Sequence, residues 1–159
     1  MKTITSHSCP LCGTNDNPPA FRITRTVPHF TVSRCAACGH LYMDPPPARA
    51  ALEKMYGREY YAGTAAYSYT DERKTPRGFQ AVARARISKL LALLRTSTGS
   101  GRAFLDIGCS FGSLLDAARA AGCRTTGLDI SPYALAHVRK QGHRAIKGVP
   151  ETARLGKEL

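Results

Sequence analysis

The chain has 159 residues, 43% of them hydrophobic, and a formal net charge of +12. That length suits one ordinary domain or two small pieces, and the apolar content argues against a disordered chain. No apolar run approaches the roughly 18 residues of a membrane span, and MKTITSHSCPLC lacks a signal peptide's apolar stretch, so neither export nor a membrane partner is expected.

A basic surface steers anions, so nucleic acid and anionic small substrates are both candidate partners, with plain solubility as the alternative. The basic residues are scattered from Arg22 to Lys157 without a dense run, which places nucleic acid second. Of the six cysteines, four fall in close pairs, unlike the spread framework of a secreted disulfide protein. A reducing, cytoplasmic setting is the expectation.

The first element is a pair of knuckles, CPLCG from Cys9 and CAACG from Cys35. Two residues between cysteines let both thiolates reach one ion, and the following glycine accepts the tight turn. Cys9, Cys12, Cys35 and Cys38 are therefore expected to hold structural zinc, since a closed four-sulfur site leaves no position for a reactive water. His40 is a variant ligand or a surface residue. The 22 residues between the knuckles have room for a hairpin, with Phe21, Ile23, Arg25 and Val27, then Phe30 and Val32, alternating about Pro28-His29.

A strand at Leu41–Met43, the break Pro45-Pro46-Pro47 and a helix carrying Ala51, Leu52 and Met55 come next. Tyr56, Tyr60, Tyr61, Tyr67 and Tyr69 either line a substrate pocket or pack. Between about Arg77 and Arg95, Phe79, Val82, Ile87, Leu90, Leu91 and Leu94 recur at helical steps, with Arg84, Arg86, Lys89 and Arg95 around them. Such a basic face is usually solvated and sometimes touches RNA. Ser97–Gly101 reads as a flexible linker.

AFLDIG, ending at Gly108, reads as a buried parallel strand delivering a tight loop. Gly108 and Gly112 let the backbone approach a ligand, and a helix beginning near Gly112 aims its amides at it. TTGLD forms the next strand. Asp129, 23 residues beyond Asp106, is placed to hold ribose hydroxyls. Ser131-Pro132 caps a second helix, and HRAIK makes a third strand. A nicotinamide fingerprint would need glycine at positions 110 and 113, where both residues are serine, so dinucleotide binding is disfavoured.

LDIGCSFGSLL with GLDISPYAL resembles motif I and the acidic second-strand motif of class I S-adenosylmethionine-dependent methyltransferases. CPLCG and CAACGHLYMDPPP resemble the N-terminal zinc-binding region of a bacterial branch that includes sugar C-methyltransferases. The resemblance implies that Asp106 holds the amino group of the cofactor's methionine moiety. It also implies that Gly108, Cys109, Ser110 and Gly112 form the loop beneath it, that Asp129 takes the ribose and that Ile130 packs near adenine. No catalytic base can be assigned, and Cys109 and Cys123 carry no functional argument.

The expected fold is α/β: a small zinc-binding β region over 1–44, a helical connector over 45–101, and the first half of a Rossmann-like methyltransferase sheet over 102–159. The methyltransferase sheet resembles seven strands with the fourth beside the first, so the chain reads as an N-terminal portion whose open edge invites self-association. The expected partner is a small-molecule methyl acceptor, with a nucleic-acid-binding zinc ribbon or an RNA methyltransferase as the alternative.

Overall fold

The computed structural model describes residues 8–15, 17–24, 30–64 and 71–153. Arg25, Val27, Pro28, His29, Tyr67 and Tyr69 of the expected hairpin and tyrosine set lie outside them. The chain divides into two compact units, Met1–Lys54 and Met55–Leu159.

In the first unit, strands β1 (Pro19–Ile23), β2 (Phe30–Arg34) and β3 (Leu41–Met43) form an antiparallel sheet in that order. Pairing slips between Pro19 and Phe21. Proline has no N–H for the ladder and is tolerated at the start of an edge strand. Every residue of β1 is exposed, while β2 buries Val32 and Ser33. Helix α1 (Arg49–Met55) follows the prolines, with Ala51, Leu52 and Met55 half-buried.

The second unit begins with α2 (Arg58–Ala62), a short helix not assigned from the sequence, stopped by Gly63 at φ 78°. Helix α3 (Pro76–Leu93) presents Ala83, Ile87 and Leu91 inward and leaves Val82, Leu90 and Leu94 exposed. The buried row steps by four, so only part of the apolar set read from the sequence is core. Ala83, Ile87 and Leu91 pack on Ala117 and Ala118, with Phe104, Leu114, Ala121 and Cys123 around them.

Strands β4 (Ala103–Ile107), β5 (Arg124–Asp129) and β6 (Arg144–Lys147) form a parallel sheet in that order. Helix α4 (Ser113–Ala120) joins the first pair and α5 (Pro132–Lys140) the second, the strand–helix alternation of a doubly wound fold. The Ser131 hydroxyl caps α5 by accepting the Ala134 amide at 3.3 Å, with Pro132 in the first turn. Among the described residues no strand pairs with the other edge of β4, and Ile107 there is 58% exposed.

The Ser97–Gly101 segment is hydrogen-bonded rather than a free linker. The Gly99 amide donates to Ala121 O at 2.7 Å and the Thr98 hydroxyl donates to the same oxygen at 3.3 Å. This ties the entry of β4 to the end of α4.

Gly127, in the middle of β5, lies against the loop that follows β4. A Cβ there would stand 2.6 Å from Cys109 Sγ and 2.9 Å from Leu115 Cδ1. Gly127→Ala is expected to lower stability by about 1–3 kcal/mol through overpacking. A denaturant midpoint equal to the parent's would show that Cys109 and Leu115 give way freely.

Candidate functional site

The two knuckles repeat one backbone turn. Gly13 N donates to Cys9 O and Gly39 N to Cys35 O, both at 2.9 Å. Both glycines sit in the left-handed region, at φ 76° and 74°, where a Cβ is strained. The turns bring the sulfurs together: Cys9 and Cys38 are 3.7 Å apart, Cys12 and Cys35 3.5 Å, and all four lie within 4.8 Å of one another. Tetrahedral zinc–thiolate bonds of about 2.3 Å require sulfur separations of about 3.8 Å, so the donor set can hold such an ion.

Buried Asn17 joins the knuckles. Its Nδ2 donates to Thr14 O at 2.7 Å, and its Oδ1 accepts the Ala36 amide at 3.1 Å. His40 stands outside the cluster; its carbonyl accepts the Cys35 amide, and its ring stacks on Tyr42. Hydrogen bonds with Thr14 lower the Cys12 thiol to about 6. Cys38 is pushed up to about 12: the His40 backbone favours its thiolate, but burial and the neighbouring sulfurs outweigh it. A divalent cation removes this conflict by compensating the thiolates together.

In the α/β unit, β4 delivers Asp106 and then a loop whose backbone turns left-handed at Gly108, Ser110 and Gly112, with φ of 75°, 49° and 88°. Gly108 N and Cys109 N donate to Leu128 O at 2.7 and 3.2 Å, which fastens the loop to β5. Asp129 completes the fastening. Its Oδ2 accepts the Ser110 amide at 2.9 Å and its Oδ1 the Ser131 amide at 2.8 Å, so the buried carboxylate ties the loop to the start of α5.

A cavity of about 460 Å³ opens beside this loop. Asp106, Gly108, Cys109 and Ser110 line it, together with Glu72, Ser113 and α3 residues including Phe79 and Arg86. Of the residues singled out from the sequence, Gly112, Asp129 and Ile130 are not in its wall. Asp129 instead faces the loop amides, and Gly112 begins α4. Burial, reinforced by the charges of Glu72 and Asp129, raises Asp106 to about 6. The Ser110 hydroxyl is buried without a hydrogen-bond partner among the described residues, a group suited to a ligand contact. Cys109 is buried, and burial raises its thiol far above the ordinary range, which keeps it neutral and unreactive.

The described tyrosines of the second unit reach the loop through Phe111. Tyr61 is buried, with its ring centroid 4.8 Å from that of Phe111 and 5.0 Å from that of Tyr60. Tyr56 stacks edge-on to Tyr60 at 5.0 Å. Tyr61 and Phe111 form a core with Ala134, so packing accounts for Tyr61. The sequence reading missed Glu72 and Arg73, both of which act on Phe111. In DERKT they look like an ordinary charged run, and nothing local signals their distant partners.

This strand–loop–helix site lies in a recognised segment. Residues 105–155 match the family model described as a methyltransferase domain, which supports a methyltransferase domain dependent on S-adenosylmethionine. The parallel three-stranded sheet is consistent with a partial Rossmann-like methyltransferase fold, and the four-cysteine cluster accompanies it. A comparison with curated proteins finds no match. No helix among the described residues is long and apolar enough to cross a membrane.

Proposed function

We propose that the chain is the N-terminal part of an S-adenosylmethionine-dependent methyltransferase of the sugar C-methyltransferase-like branch, acting on a small-molecule or sugar intermediate in the cytoplasm. The observation that carries this reading is the cavity beside the loop after β4, a loop that lies in the segment matching a methyltransferase domain. Its volume of about 460 Å³ falls in the range of small-ligand sites.

Bound there, the cofactor supplies an electrophilic methyl group on a sulfonium. Asp106 accepts hydrogen bonds from the cofactor's ammonium, and its carboxylate is the form that binds a cation. The Gly108–Gly112 loop brings backbone close to the ligand, and the orphaned Ser110 hydroxyl offers it a hydrogen bond. Asp129 holds the loop through two amides while each oxygen keeps a lone pair for a ribose hydroxyl. Ile130, outside the cavity wall, would pack near adenine where the ligand reaches beyond that wall. Zinc in the four-cysteine site is structural, since four sulfurs fill the tetrahedron. A second copy of the chain covers the edge of β4 that no strand among the described residues pairs with.

The test is a calorimetric titration of S-adenosylmethionine into the zinc-loaded chain. Saturable binding at one site is expected, lost in Asp129→Ala. A folded chain that takes up no cofactor would overturn cofactor use by these residues. The net charge of +12 supports a second reading, an RNA-binding zinc ribbon or RNA methyltransferase. RNA binding that weakens steeply with added salt would favour it, because phosphate contacts release counterions.

A further inference from the structure

Gly112 occupies the N-cap of α4 and brings no side chain to the helix's free amides. Glu72, 39 residues earlier in the chain than Phe111, binds the residues on either side of Gly112 rather than those amides. One of its oxygens accepts the Phe111 amide at 2.8 Å, and the other accepts the Ser113 hydroxyl. These donors flank Gly112, so a single carboxylate holds both sides of the bend at which the loop becomes α4. A carboxylate at a helix N-terminus is also favoured by the helix dipole. Glu72 is only 6% exposed, and it forms part of the same cavity wall as Asp106 and Ser110.

The flanking residues hold Phe111 from its ring side. Arg73 makes two 2.9 Å bonds to the Asp71 carboxylate, which fixes its guanidinium plane. That plane lies 3.9 Å from the Phe111 ring centroid, and Nη2 donates to the Tyr133 hydroxyl at 3.2 Å. Phe111 is thus held by its amide through Glu72 and by its ring through Arg73. The loop residue cannot shift without disturbing both.

We propose that Glu72 is a positioning residue for the cofactor: it sets Phe111 and the first turn of α4 so that the Gly108–Gly112 loop keeps the shape that receives the ligand. This rests on reading the loop as the S-adenosylmethionine site. A plain helix cap would affect stability and leave the affinity of the folded protein unchanged. A positioning residue alters affinity as well, and a neutral side chain of the same shape restores it.

Glu72→Ala and Glu72→Gln, in the whole chain, separate these roles. Each is titrated with S-adenosylmethionine below its melting temperature, and hydrogen exchange is followed at the Phe111 amide. Glu72→Ala is expected to weaken binding by about tenfold, the scale of a lost hydrogen bond to a charged group, and to speed that exchange. Glu72→Gln, whose oxygen still accepts from Phe111 and whose NH2 still donates to the Ser113 oxygen, is expected within about threefold of the parent. Parent-like affinity in Glu72→Ala, or a Glu72→Gln as weak as Glu72→Ala, overturns the proposal. If Glu72→Ala fails to fold, Ser113→Ala removes one contact, and affinity unchanged from the parent there overturns it too. If the parent itself takes up no S-adenosylmethionine, the methyltransferase reading fails. The positioning role toward the cofactor is then overturned with it, and exchange at the Phe111 amide reports only that Glu72 holds the loop.

Discussion

Asp106→Asn is expected to make the chain more stable at pH 8 while removing most of its affinity for S-adenosylmethionine. Asp106 sits at the end of β4 with its pKa raised to about 6, first by burial and then by the charges of Glu72 and Asp129. The folded chain therefore holds this proton more tightly than the unfolded one. Its contribution to stability is fully present below about pH 4 and is lost as pH rises through about 6. Above that, an ionised carboxylate is kept in an unfavourable place. Asparagine keeps the shape without the charge, and because Asp106 is partly exposed the gain is discounted to about 1 kcal/mol, or about 2–4 °C in melting temperature. The penalty is worthwhile only where a cation relieves it, so binding should weaken as pH falls through about 6 in the parent. In Asp106→Asn affinity should fall about a hundredfold and lose that pH dependence. Melting curves at pH 4 and pH 8, with titrations across the same range, check both halves. A variant less stable than the parent at pH 8 would mean that Asp106 makes compensating contacts with its charge. Unchanged affinity would remove Asp106 from the cofactor site.

Much of this site could be read from the sequence because its parts are local. A CxxCG knuckle is a self-contained turn, and both glycines sit in the left-handed conformation that the motif predicts. AFLDI is β4 to the residue, although none of its residues is buried as the sequence led one to expect, and Ser131-Pro132 caps α5, because caps and short strands depend on neighbours within a few positions. What escaped was set by distant partners. Glu72 meets the loop across 39 residues, and Asn17 joins two knuckles that are themselves far apart in sequence. Asp129 was recognisable as an acid at a strand tip, but its use of backbone amides was not, since an amide leaves no signature in the choice of residue. In α3 the helical period was correct, and the buried face was then decided by what α4 offers opposite it, the small Ala117 and Ala118.

Cys35→Ser is expected to abolish zinc binding and with it the ordered fold of the first unit. That unit spans Met1–Lys54, a size at which a chain buries too little surface to be stable without a staple. Its buried apolar residues, among those described, are Val32, Cys9 and Cys35, so half or more of this core consists of the candidate ligands themselves. Asn17 and the β2 ladder organise the backbone around the knuckles, yet hydrogen bonds contribute only about 1 kcal/mol each against the entropy of ordering. Zinc on four thiolates contributes far more, about 10–16 kcal/mol in small zinc-dependent folds. Metal analysis of the purified parent should give one zinc per chain, and of Cys35→Ser none. Amide exchange across Phe30–Arg34 should change from slow to fast in the variant, and in the parent on adding a strong chelator. A chain stripped of metal that kept slow exchange there would show that the four cysteines hold this unit together by packing alone. Zinc retained in Cys35→Ser would move the ligand role to another donor, with His40 as the first candidate by its place beside the second knuckle.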